Sequence, residues 1–140
     1  YEWFPKEPTD IGVRYRASLE ALAYLIGLAV QEHEAAGQKI TRITVSGGIA
    51  QSDLMLEILA SVIGWPLERL VSSEGTALGA AVVALAGMEA LTRKQKGNAE
   101  SFSVGDAVRE LVRFRDSVKP VGEWLTAYDQ GLDEFRRRIG

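Results

Sequence analysis

The stretch from residue 43 to residue 87, ITVSGGIAQSDLMLEILASVIGWPLERLVSSEGTALGAAVVALAG, decides the fold. It opens as a β-branched apolar run, passes through the paired glycines Gly47-Gly48, and then sets Leu54, Met55, Ile58, Leu59, Val62 and Ile63 at the spacing of a broad helical stripe. A strand must therefore give way to a helix across the glycines. Ile40 to Val45 reads as that strand, and Gly64 with Pro66 ends the helix. Leu67 to Val71 predicts a second short strand. Ser72-Ser73-Glu74 then offers N-cap hydroxyls and an acid to the positive end of a further helix, EGTALGAAVVALAGM. Strand, helix, strand, helix is the rhythm of an α/β layer.

On the N-terminal side, residues 1–10 carry Pro5 and Pro8 and read as an extended lead-in. From Ile11 the residues Leu19, Leu22, Ala23, Ile26, Ala29 and Val30 predict a helix that stops at Gly37. On the C-terminal side, residues 92–103 lack periodicity and read as a surface loop. Two amphipathic segments, about 104–117 and 121–138, flank Lys119-Pro120, and the second puts Trp124, Leu125, Tyr128, Leu132 and Phe135 on one face. The expectation is one domain over 1–140: lead-in 1–10, α/β core 11–91, loop 92–103 and helical tail 104–140. Two strands are a small platform for three long helices, so further strands are expected upstream.

The chain has 140 residues, 46% of them hydrophobic, which is enough for a real core. Its net charge is −3, and its basic residues are scattered apart from Arg136-Arg137-Arg138, so nucleic acid is not an expected partner. Cysteine is absent, which excludes disulfides and thiolate metal sites and fits a reducing, cytoplasmic setting. The run from Ala77 to Met88 is shorter than the roughly 20 residues that span a bilayer, so no membrane segment is expected. The chain does not begin with Met and reads as a piece of something longer.

A glycine step without Cβ atoms lets the backbone approach a flat or charged ligand, and a helix start just beyond it offers free N–H groups. That combination suits a nucleotide. The spacing matches neither the G-x-G-x-x-G fingerprint nor the G-x-x-x-x-G-K-[ST] loop, so a tight structural turn is the competing reading. Gly75 and Gly79, with Ala80, Ala81 and Ala84, make a smooth helix face for close packing or for a sliding surface between lobes. Other groups are read as structural. Asp53 and Glu57 suit a helix N-terminus, His33 a solvated stretch, Glu74 and Thr76 a cap, Arg136–Arg138 a helix C-terminus, and Trp124, Tyr128 and Phe135 the covered side of the tail. No catalytic or metal-ligating set is expected.

Residues 43–87 resemble the C-terminal half of the FGGY carbohydrate kinases. The usual form of that half is an apolar strand, Gly-Gly-(Gly or Ala), a polar residue three or four on, a helix ending near Gly-x-Pro, and Glu-x-Thr-Ala-Leu-Gly-Ala-Ala. RASLEALAY, residues 16–24, resembles the preceding Arg-Ala-x-x-Glu-Gly helix, and Lys119-Pro120 with the aromatic helix after it resembles the family's tail. Ile49 stands where the third Gly or Ala is usual, and Ala21 where the glycine of Glu-Gly is usual. The resemblance implies a partial ribonuclease-H-like (actin-like ATPase) lobe with a small sheet, packed helices and a helical tail. It also implies ATP as cofactor, with Gly47, Gly48 and Ser52 contacting the nucleotide and Ile49 and Ala50 lining the adenine slot. Mg²⁺ would be held mainly by ATP and by upstream parts of the enzyme, which would also carry the catalytic base and bind the sugar or polyol. A homo-oligomer is expected. The alternative function is a nucleotide switch or interaction module of the actin-like and heat-shock-chaperone superfamily.

Overall fold

The computed structural model describes residues 6–97 and 101–139. In chain order these form α1 (Ile11–Ala35), β1 (Ile43–Val45), a 3₁₀ turn (Gly48–Gln51), α2 (Asp53–Ile63), β2 (Leu67–Leu70), α3 (Gly75–Gln95), α4 (Val104–Leu111), β3 (Phe114–Val118), a second 3₁₀ turn (Gly122–Trp124) and α5 (Leu125–Ile139). Contacts divide them into two compact units. The first holds the described residues up to Ile43, Ser52–Leu67 and those from Ser117 on; the second holds Thr44–Gln51 and Glu68–Asp116.

The first unit is built from α1, α2 and α5. Asp10 caps α1 by accepting the Val13 N–H at 2.9 Å, and Ser52 caps α2 by accepting the Met55 N–H at 3.2 Å. Gly64 ends α2 in the left-handed region at φ +74°, as the sequence predicts. Met55, Leu56, Ile58, Leu59 and Val62 of α2 are buried, as are Ala23 and Gly27 of α1 and Tyr128 and Leu132 of α5. A Cβ on Gly27 would lie 2.9 Å from Val62 Cγ1 and within 3.8 Å of Leu132, so the glycine is what allows the helices to meet there. Ser61 is buried yet satisfied: its hydroxyl donates to the Glu57 carbonyl at 2.6 Å and accepts the Val121 N–H at 2.9 Å.

A polar and aromatic cluster fastens α5 to α1. The Arg16 guanidinium donates to Glu20 (2.9 Å) and to the Tyr128 hydroxyl (2.7 Å), which itself donates to Glu20 (2.8 Å). Arg16 also lies 4.6 Å from the Trp124 ring centroid, and Tyr24 packs against Tyr128 and Phe135. The aromatic stripe is therefore the covered side of the tail. Burial pushes the Tyr24 hydroxyl up to about 12, with Glu20 and Tyr128 adding to the rise.

The second unit carries most of a three-stranded sheet of order β1-β2-β3. The Val71 N–H donates to the Arg113 carbonyl at 2.9 Å, joining the end of β2 to the start of β3, so these two run antiparallel. The Gly47 N–H donates to the Ser73 carbonyl at 2.9 Å, joining the chain just past β1 to the chain just past β2, so that pair runs parallel. Arg69 grips the Asp116 carboxylate through two nitrogens across β2 and β3, which holds that carboxyl below its ordinary value. Val82 and Ala86 of α3 and Ala107 of α4 form a small core with Leu85, Phe102 and Val112 against it.

Four expectations change. β1 begins at Ile43 rather than Ile40, and α3 runs to Gln95, into the stretch expected as loop. The expected helix over 104–117 stops at Leu111, and Phe114–Val118 is a third strand. Its residues are almost wholly exposed at the sheet edge, so no alternating apolar pattern announced it. Neither serine caps α3. Its N-cap is Glu74, whose side chain makes no capping bond, while the Ser72 hydroxyl accepts the Glu74 N–H at 3.2 Å. By length and composition alone, α3 is also a helix that could cross a membrane.

Candidate functional site

Strand order brings two loops together in the second unit. β1 and β2 are parallel neighbours, so the turn after β1 and the turn into α3 both leave from carboxyl ends of strands, where open α/β sheets place their ligands. The first turn is Ser46-Gly47-Gly48-Ile49. Gly47 has φ +75° and is anchored by its N–H on Ser73, and its carbonyl accepts the Ala50 N–H at 3.2 Å. Only glycine holds that conformation without strain. Gly48 differs: its φ is not positive, and a Cβ there would meet nothing within 4 Å. The exposed Gly48 backbone faces open space, Ile49 is half-buried beside it, and Ala50 is buried beneath.

The second turn delivers the start of α3. A Cβ on Gly75 would lie 3.0 Å from the Ser46 Cβ and would overlap its hydroxyl. Gly75 is thus the residue that lets the helix begin against the first turn. α3 runs for 21 residues, and Glu74 gives its opening N–H groups no side-chain cap. An uncapped helix start carries partial positive charge and unsatisfied donors. The arrangement can therefore offer a ligand a Cβ-free backbone surface and a donor-rich helix end together.

Gly47, Gly48 and Ile49, expected from the sequence as site residues, come together in this turn. Ser52 falls by its contacts in the first unit, where its oxygen caps α2 and its hydroxyl proton remains available to donate. Ser46, Ser73 and Gly75 were missed as neighbours of the turn. The signal for Gly75 was its place directly after Ser72-Ser73-Glu74, which was read as cap and packing face instead.

Of the other groups read as structural, Glu74 makes no capping bond at the start of α3, whereas the tail arginines have structural partners. Arg136 donates to Gln31, and Arg137 and Arg138 pair with Glu134. Among the described residues no group of three His, Cys, Asp or Glu could hold a metal ion.

Residues 5–88 match the model of the FGGY family of carbohydrate kinases, C-terminal domain. The chain is 37% identical over 73 residues to a ribulokinase from Mycolicibacterium smegmatis, covering 52% of this chain and 13% of that protein. It is 38% identical over 120 residues to a glycerol kinase from Petrotoga mobilis, covering 79% of this chain and 24% of the relative. A crystal structure of xylulose kinase from Rhodospirillum rubrum superposes with a TM-score of 0.73 at 26% identity, covering 97% of this chain and 26% of that one. The chain spans about a quarter of that structure, and its fold is a partial lobe of the actin-like ATPase type.

Proposed function

The chain belongs to the FGGY family of carbohydrate kinases, as the C-terminal domain, and on that premise we propose that it is the ATP-binding portion of an enzyme that phosphorylates a sugar or polyol. The adenosine of ATP lies against the backbone of Gly47-Gly48, with Ile49 lining the slot. The observation that carries the reading is the glycine turn at the carboxyl end of β1, packed beside the uncapped start of α3.

In the reaction the γ-phosphate of ATP passes to a hydroxyl of the sugar or polyol, whose proton goes to a base. That base, the sugar contacts and the main contacts to Mg²⁺ belong to the part of the kinase that relatives carry beyond this domain. This chain's role is positioning. It fixes the nucleoside end of ATP so that the γ-phosphate is presented to the other lobe, in a cytoplasmic enzyme.

The test uses Gly48→Val in the full-length protein. Open space around the Gly48 Cβ position lets valine fit the free protein, while its branches occupy the place of the adenosine. Calorimetric titration with Mg·ATP should show affinity reduced more than tenfold with unchanged circular dichroism. Undiminished ATP affinity would overturn the assignment.

A further inference from the structure

The turn after β1 is held to the chain around the start of α3 by two different forces. The Gly47 N–H donates to the Ser73 carbonyl at 2.9 Å, which draws the turn inward. Ser46 against Gly75 sets the stop. A Cβ on Gly75 would overlap the Ser46 hydroxyl and lie 3.0 Å from the Ser46 Cβ, and nothing else beyond its own stretch of chain would come within 4 Å. Ser46 adjoins Gly47, whose φ of +75° passes the chain on to Gly48. The height at which Ser46 rests on α3 therefore fixes where the Gly48 backbone stands.

A side chain added at position 75 has to move one of the two partners. Turning the Ser46 hydroxyl aside clears one overlap but leaves its Cβ, which moves only with the backbone. Of the two partners α3 is the firmer: Val82 and Ala86, about two and three turns beyond Gly75, are buried in the small core with Ala107. The turn has open space at Gly48 and is the side that yields. We propose that Gly75 is a positioning residue for the nucleotide, acting through Ser46, because the bare position 75 and the small side chain at 46 together set the turn where ATP needs it. The inference rests on the ATP reading of the turn and adds to it a residue that acts from the neighbouring helix.

The pair predicts a coupling that a double-mutant cycle reads. Alanine suits a helix better than glycine, so a loss on Gly75→Ala comes from the contact and not from the helix propensity of α3. In the full-length protein, Gly75→Ala should weaken Mg·ATP binding about fivefold or more in calorimetric titration, as the turn is pushed out of place. Introduced into the Ser46→Gly protein, the same change should cost less than about twofold. Removing the Ser46 side chain clears the space a Cβ needs, and its hydroxyl makes no hydrogen bond among the described residues, so none is lost. Hydrogen exchange at the Gly47 amide follows the turn without nucleotide: it should quicken in Gly75→Ala and return in the double variant to the rate of Ser46→Gly alone. An unaltered ATP affinity in Gly75→Ala, or an equal loss with and without Ser46→Gly, would overturn the positioning role even where Gly48→Val abolishes binding. Undiminished affinity in Gly48→Val would overturn the ATP reading instead, and the exchange coupling would then show whether Gly75 still sets the turn. Should Gly75→Ala lose helicity, recovery of both helicity and ATP binding on adding Ser46→Gly supports the pair, and no recovery overturns it.

Discussion

Adjacent glycines in this chain do different work, and the difference is measurable. Gly47 sits at φ +75°, so Gly47→Ala should lower stability by about 1 kcal/mol through backbone strain. Gly48→Ala, with open space at its Cβ, should stay within about 0.5 kcal/mol of the parent in the same urea titration. Gly131 is constrained by packing instead: a Cβ there would lie 2.8 Å from Tyr24 Cζ and overlap its hydroxyl. Gly131→Ala should push Tyr24 out of its place between α1 and α5, at about 1–3 kcal/mol. Ser52→Ala should cost about 1 kcal/mol of stability as α2 loses its cap. The sequence made Gly47 and Gly48 visible as candidates because a glycine pair is a local signal, and the resemblance to the kinase family added Ser52. It could not assign Gly75 its neighbour, because Ser46 is 29 residues away along the chain.

At the scale of elements, α4 shows how a short helix is held. Ser103 accepts the Asp106 N–H at 3.2 Å, and the Asp106 carboxylate accepts the Ser103 N–H at 2.7 Å. The Ser103 side chain first, then its backbone N–H and Arg109, push the Asp106 carboxyl down from 3.8 to about 2. A depressed carboxyl stabilises the folded state above its unfolded value and loses that contribution as pH falls through the folded one. Unfolding of α4 should therefore become easier between pH 4 and pH 2, and Asp106→Asn should flatten that dependence in hydrogen exchange of residues 104–111. Tyr24 titrates in the other direction. Its raised hydroxyl contributes below pH 10, and the contribution is lost as pH rises toward 12, so Tyr24→Phe should remove an alkaline step from the unfolding profile of α1 and α5. α2 and α5 were legible because each buries an apolar face at helical spacing; α1 was legible by the same spacing, yet of its expected face Ala23 is buried while Leu22 and Ala29 are exposed. β3 was not, since its register comes from Arg69 of β2 holding Asp116 and from the Val71 N–H on the Arg113 carbonyl rather than from an apolar pattern of its own.

For the molecule as a whole, phosphoryl transfer needs charge stabilisation and a base around the γ-phosphate, and this chain spans about a quarter of the kinase it superposes on. Incubated with Mg·ATP and a panel of ketoses, pentoses, polyols and sugar acids, it should release no sugar-dependent ADP. Activity should return only when the remainder of the enzyme is supplied. Sugar-dependent turnover by the 140-residue chain alone would refute the two-lobe account. The sequence by itself determined the helix and strand succession from Ile43 to Gly87, the end of α2 at Gly64, the glycine step and the kinase family, because hydrophobic period, chain-terminating residues and motif order are all local properties. The tertiary structure decided that β1 and β2 are parallel neighbours, that α3 starts against Ser46, that β3 closes one sheet edge, and that Tyr24, Tyr128 and Arg16 fasten the tail. Each of these joins residues far apart in the chain, where hydrogen-bond ladders and shape complementarity rather than local preference choose the partner.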